Sequence, residues 1–131
     1  MLLVRHNYGS AKGKYLNPGG YFREGELPED AAIREVFEET GVKIKPIGMI
    51  AIRCQNGEWY MVLKAEYIKG EPRANLSENE DVVFMNISDT LNHPCVTDTA
   101  KTLIQVSLTN KSMPAKDCRK NRKLYSVDNI I

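Results

Sequence analysis

With 131 residues, 42% of them hydrophobic and 27% charged, the chain has room for one domain with a sizeable core and too little for two. Its 18 Lys and Arg balance 17 Asp and Glu to a net charge of +1, so bulk electrostatics argue for neither a nucleic-acid nor a membrane partner. Three widely spaced cysteines, Cys54, Cys95 and Cys118, form no C-x-x-C pair, which argues against a disulfide framework or zinc site and for reduced thiols.

No apolar run approaches the ~20 residues of a membrane span. Met1-Leu2-Leu3-Val4 is too short for the apolar region of a signal peptide, so the expected location is the cytoplasm. In chain order, Leu2 to Arg5 reads as a strand, residues 7 to 14 as a turn, and Tyr15-Leu16 as a short extended piece. Asn17-Pro18-Gly19-Gly20 is a tight bend. A helix follows over 28 to 40, with Pro28 suited to its first position and Gly41 to its C-terminal cap; Leu27 is a poor N-cap. Ile47 to Arg53 and Trp59 to Tyr67 read as strands joined by Asn56-Gly57, a strong hairpin signal. Residues 68 to 81 read as a long polar loop, Val82 to Met85 as a strand, and Thr97 to Leu108 as a helix periodic at Ala100, Leu103, Ile104 and Leu108. The stretch from Met113 is polar and basic up to Tyr125, a tail or an edge-covering segment. Strands interleaved with two helices predict an α/β fold with a mixed sheet between helices.

The chemistry concentrates on the first helix. At about 100° per residue, Glu35, Glu38 and Glu39 fall within an arc of about 100°, with Ile33, Val36, Phe37 and Thr40 on the opposite side. This predicts an apolar face for the core and an all-carboxylate face outside it. A solvated acidic face is one reading. Against it, two carboxylates ~6 Å apart at an effective dielectric of ~20 repel by roughly 3 kcal/mol, falling to a few tenths when fully exposed. The helix C-terminus adds further negative potential. Arg34 can offset Glu38 four residues on; a hard cation such as Mg²⁺ or Mn²⁺ would offset all three.

Gly20, then Glu26, then Arg34-Glu35-Val36-Phe37-Glu38-Glu39-Thr40-Gly41-Val42 match the Nudix box at every defined position and spacing, and Pro18-Gly19 leads into it. The chain therefore resembles the Nudix hydrolase family. The resemblance implies an α/β/α sandwich whose box forms a loop–helix–loop metal site. It implies that Glu35, Glu38 and Glu39 bind the metals with the Gly19 carbonyl, that Arg34 orients the neighbouring carboxylates, and that Glu26, with Gly20, braces the loop against the helix. The activity implied is hydrolysis of a phosphoanhydride in a nucleoside diphosphate linked to a nucleotide, a sugar, ADP-ribose or a further nucleoside phosphate. Metal ions neutralise the phosphate oxygens and acidify a water, and a carboxylate takes its proton. In the family that base is a box glutamate or one on a distant loop. Here Glu35, Glu80, Glu78 and Asp81 are the candidates, Glu80 first among the loop acids.

Weaker signals surround the box. Trp59 and Tyr60 follow the hairpin turn, where an aromatic could stack on a nucleobase. Tyr60 lies where some dinucleoside-polyphosphate hydrolases resemble one another, although strand packing competes with that reading. The proline typical of ADP-ribose pyrophosphatases is absent from Gln55-Asn56-Gly57-Glu58. Arg5, Arg23 and Arg53 could hold substrate phosphates or carry surface charge. His6 and His93 stand alone and read as surface or packing residues. The basic run 116 to 123 could meet RNA or be solvated.

Family members have a further strand ahead of the one matching Leu2 to Val4. Its absence here predicts a shortened start, or an edge filled by a partner or by residues 112 to 131; an exposed edge predicts a homodimer. Two further functions compete with the enzyme: a non-catalytic nucleotide-sensing module, and an RNA 5′-end pyrophosphohydrolase. The intact carboxylate set favours the enzyme over the sensor.

Overall fold

The computed structural model describes residues 1–109, 111–119 and 122–125. Strand β1 (Leu2–His6) lies between β2 (Tyr15–Leu16) and β5 (Asn79–Phe84), antiparallel to both. Leu3 and Val4, adjacent in sequence and so on opposite faces, are both fully buried, which means that the sheet is covered on both faces at β1. Tyr15 extends the sheet through one parallel bridge to Val96, donating to the Cys95 carbonyl and accepting from Thr97. Leu3, Tyr15, Val96 and Ala100 form the core cluster at this junction.

The second sheet is the long hairpin of β3 (Lys43–Gln55) and β4 (Glu58–Lys69). Asn56 and Gly57 both take positive φ, 52° and 77°, as a two-residue turn matched to strand twist requires. Both strands outrun the expected 47–53 and 59–67. The ladder pairing in the described sheets is antiparallel, and the parallel component of the expected mixed sheet is the bridge at Tyr15.

Helix α1 (Pro28–Thr40) packs on β3. Leu27 gives it no side-chain cap, whereas Gly41, at φ 74°, closes it onto the Phe37 carbonyl. Two more last-turn carbonyls find partners from outside the helix: Thr40 O accepts from the Arg73 N–H and Glu39 O from the Asn79 carboxamide. A short helix α2 (Ile87–Asn92), unforeseen from sequence, is capped by Asn86 through the Asp89 N–H at 2.8 Å. Helix α3 (Asp98–Ser107) buries Ala100 and Ile104 as expected, while Leu108 falls beyond its end and is exposed.

Two expectations need correction. The loop set at 68–81 is shorter, because β4 runs to Lys69 and β5 starts at Asn79, so Glu80 and Asp81 are strand residues. The segment after α3 is also more than the tail that is one of its two expected readings. It crosses β3, where Met113 and Met49 exchange backbone hydrogen bonds at 2.8 Å, and then forms a hairpin of β6 (Ala115–Arg119) and β7 (Arg122–Tyr125). Gly48 permits that crossing, since a Cβ there would lie 3.0 Å from Ser112. Residues 120 and 121 of the basic run lie outside the described ones.

Candidate active site

The site is built where the bend 17–20 meets α1. Arg34 is its hub. Its guanidinium grips Glu26 at two points, Nε to Oε1 at 2.7 Å and Nη2 to Oε2 at 2.9 Å, and Nη2 also donates to the Tyr21 carbonyl. Nη1 reaches Glu35 Oε1 at 2.6 Å and Glu38 Oε2 at 3.3 Å. The Arg34, Glu26 and Glu35 side chains are largely withdrawn from water, and the two-point geometry is the kind that fixes a guanidinium in one orientation. Hydrogen bonding from Arg34, then from the Arg23 N–H, lowers the Glu26 pKa to about 2. Arg23 reaches Glu38 Oε1 at 3.2 Å.

Gly20 has no room for a side chain, because a Cβ would run into the Glu35 carboxyl. Gly19 faces open space instead, and its N–H points at Glu39. The bend therefore meets the helix through backbone at one glycine and close approach at the other.

The faces of α1 depart from the periodicity reading. Ile33 and Phe37 are exposed, Phe37 lying under the Lys43 ammonium at 5.6 Å, whereas Ala31, Val36, Glu39 and Thr40 are buried. Glu39 is only 7% exposed and its Oε2 has no hydrogen-bond partner. Burial raises its pKa to about 8, against the Gly19 N–H, with repulsion from Glu78, Glu35 and Glu38 adding to the rise. The helix turns Glu39 inward beside the bend, while Glu38 on the same side stays exposed.

Glu78 is the loop acid that faces this group. It is the first of the neighbouring charges acting on Glu39, and it also acts on His6 and Tyr8. His6 and Tyr8 stack at 4.9 Å, and the Asn7 amide donates to the Leu76 carbonyl, so the turn after β1 is tied to the loop that carries Glu78.

The remaining candidates lie elsewhere or are engaged. Glu80 forms an ion pair with Arg5 at 3.0 Å, and the Arg5 guanidinium lies over the Tyr15 ring. Asp81 accepts from the Tyr15 hydroxyl, which raises the Tyr15 pKa. His93 packs edge-on against Tyr15 and accepts from the Cys95 N–H. At the hairpin tip Arg53 stacks on Tyr60 at 4.2 Å, and the Tyr60 hydroxyl donates to Glu58. Trp59 is exposed there. Sequence reading overlooked Asn75 and Asn79, which fold the 75–78 loop; an Asn pair four apart around Leu-Ser-Glu is the Asx-turn signal that marks them.

A hard dication suits the donor set. Glu35, Glu38 and Glu39 supply carboxylate oxygens, and the orphaned Glu39 Oε2 is a buried acceptor awaiting a positive partner. As arranged, Arg34 and Arg23 hold Glu35 and Glu38, and among the described residues no three ligating side chains converge on one point. Arg34 touches Glu35 through Oε1 alone, whereas both Glu38 oxygens are held by arginines, so an ion bound there draws chiefly on movement of Glu38.

The family model described as NUDIX domain matches residues 1–105. A Pseudomonas fluorescens protein named NAD-capped RNA hydrolase NudC is 34% identical over 96 residues, 72% of this chain and 35% of that protein. A mouse protein named nucleoside diphosphate-linked moiety X motif 6 is 42% identical over 55 residues, 42% of this chain and 18% of that protein. The chain thus spans about a third or less of these two relatives. Among solved structures, a Nudix hydrolase from Nitrosomonas europaea superposes with a TM-score of 0.72 at 23% identity, covering 86% of this chain and 82% of that one. One from Clostridium perfringens gives 0.70 at 22%, covering 82% and 86%. These two likenesses carry the α/β/α fold.

Proposed function

We propose that this chain, which belongs to the Nudix family, is a Mg²⁺- or Mn²⁺-dependent hydrolase that splits the phosphoanhydride of a nucleoside diphosphate linked to another moiety. One observation carries the reading: a buried Glu39 carboxyl with an unpartnered oxygen, set beside the bend at Gly19 and facing Glu35, Glu38 and Glu78. An acid buried at this cost with one oxygen left unpartnered belongs to a site that a cation completes.

Glu35, Glu38 and Glu39, with the Gly19 backbone, would hold the metal. When bound, the ion supplies neutralisation of phosphate charge and acidification of water. The chain supplies the rest. Arg34, locked by Glu26, fixes where Glu35 and Glu38 start from and keeps a positive charge beside them. Gly20 leaves the space that the Glu35 carboxyl fills. We read Glu78, whose charge acts on Glu39, as the acid that takes a proton from the attacking water, ahead of Glu80, whose carboxylate is paired with Arg5. Asp81 is turned to Tyr15, and Glu35 is the remaining alternative. Arg23, beside Glu38, is the arginine best placed for a substrate phosphate. Arg5 is engaged with Glu80, and Arg53 with Gln55 and the Tyr60 ring.

The named activity of the Pseudomonas relative supports a second substrate class, capped RNA 5′ ends, within the same chemistry. No described helix is long and apolar enough to cross a membrane; a cytoplasmic enzyme, and a homodimer formed through a sheet edge, complete the proposal. The test is a hydrolysis screen with Mg²⁺ and Mn²⁺ over nucleoside triphosphates, nucleotide sugars, ADP-ribose, dinucleoside polyphosphates, NAD, and capped or triphosphorylated RNA. Turnover of one class that fails in Glu39→Gln supports the reading, and no turnover of any class refutes it.

A further inference from the structure

Asn79 is a deeply buried polar residue beside the site, 1% exposed at the first position of β5. Both ends of its carboxamide are used. The N–H donates to the Glu39 carbonyl at 3.1 Å, and Oδ1 accepts from the Asn75 N–H at 3.0 Å. The orientation of the amide follows from its partners, since a carbonyl only accepts and an N–H only donates. The loop closes on itself around the same residues: the N–H groups of Glu78 and Asn79 both reach the Asn75 carbonyl at 2.9 Å, and the Ser77 hydroxyl reaches Asn75 Oδ1 at 2.7 Å. One end of this closed loop is therefore fastened to the last turn of α1, at the residue whose carboxylate is buried in the site.

We propose that Asn79 is a positioning residue for catalysis: its carboxamide latches the 75–78 loop to the Glu39 carbonyl and thereby sets where the Glu78 carboxylate stands relative to Glu39. The inference rests on the reading of Glu78 as the base. The residue type follows from the geometry. An Asp at 79 keeps the acceptor for Asn75 but has no N–H for Glu39 O, and it brings another negative charge to the carboxylates. A Gln carries the amide one methylene too far. A Ser reaches neither partner as an amide does. The loop is polar and mostly exposed, so its placement depends on few fixed points, among them the Asn7 contact to Leu76 and the pairing of Asn79 with His6 where β5 begins.

Two arms test it, with Asn79→Ser and with the near-isosteric Asn79→Asp in case the first does not fold. In the metal-free protein, amide hydrogen exchange at Asn75 should quicken in Asn79→Ser by about tenfold or more, the factor carried by loss of one buried hydrogen bond. In Asn79→Asp the loop should detach from Glu39 while Asn75 stays protected. In turnover, each variant should lose about 10²-fold in kcat with KM moved far less, as expected when a reacting group is misplaced by about an ångström. The loss should vanish in a Glu78→Gln background, because both changes then act through one group. A full-size loss in that background overturns the inference, as does unchanged exchange at Asn75 in Asn79→Ser. Glu78→Gln with wild-type kcat removes the group through which Asn79 acts and overturns it too. Wild-type protein that hydrolyses nothing refutes the hydrolase reading instead, and the exchange arm then decides the latch alone.

Discussion

Arg34 and Glu26 meet at two points across the junction of loop and helix, Nε on Oε1 at 2.7 Å and Nη2 on Oε2 at 2.9 Å. The pair converts a flexible glycine-rich bend into a fixed wall of the site. Glu26→Gln should lower the melting temperature of the metal-free protein. The pH dependence has a definite sign. The folded pKa, about 2, lies below the ordinary value of 4.5, so the pair's contribution is fully present above about 4.5 and is lost as pH falls toward 2. The gap between wild type and variant should therefore close on acidification, which urea unfolding at a series of pH values measures. A gap that widens in acid would contradict the assignment.

Glu39→Gln should lower kcat by more than about 100-fold, beyond the 10–100-fold typical of a metal's outer partners. Metal-free stability should move the other way. With its folded pKa raised to about 8, Glu39 keeps a proton that the unfolded chain releases, so wild type loses stability as pH rises from 4.5 to about 8. The variant has no such titration. Its advantage should be absent near pH 4 and complete above about 8. Unfolding curves at both ends check this, and a variant less stable than wild type at the alkaline end would count against a strained buried acid.

Mg²⁺ or Mn²⁺ should raise the melting temperature, by the equivalent of about 2.7 kcal/mol at a hundredfold excess over Kd. Changing Glu35, Glu38 and Glu39 together to Gln should abolish the shift. A shift of equal size in the triple variant would move the metal to another part of the molecule. Thermal melts with and without metal decide.

Glu78→Gln should lower kcat by ~10²–10⁴ at saturating metal, the usual range for a general base. Glu80→Gln should leave kcat near wild type and cost no more than about 1 kcal/mol of stability, since it breaks only a part-exposed ion pair with Arg5. Steady-state kinetics of the two variants side by side separates them. The reverse order would restore Glu80 as the base.

Much of this was legible in the residues. Pro28 and Gly41 mark the ends of α1 because one fixes a first-turn φ and the other takes a positive one. Asn56-Gly57 marks the hairpin for the same kind of reason. The burial of α1 was misread because periodicity assumes that apolar side chains face the core. Here the bend at Gly19 and the 75–78 loop cover Glu39, while Phe37 is left outside under Lys43. The start of β5 was hidden by Asn79, Glu80 and Asp81, polar residues that stay in the strand because each has a partner: Glu39 O, Arg5 and Tyr15. Local composition does not carry such long-range pairings.

The strand pairings also order events in time. Gln55 meets Glu58 across a two-residue turn, whereas Leu2 meets Phe84 only after most of the domain has been made. Contacts close in sequence form first, and distant ones wait on loop closure. During synthesis the β3–β4 hairpin can fold while β1 still has only the two-residue β2 to pair with. Until β5 emerges from the ribosome, Leu3 and Val4 sit on an open strand edge, the arrangement most prone to pairing with a stranger. The nascent chain is therefore at greatest risk of aggregation between completion of the hairpin and arrival of Phe84, and slowed translation across β5 should lower the soluble yield more than slowing anywhere in β3 or β4.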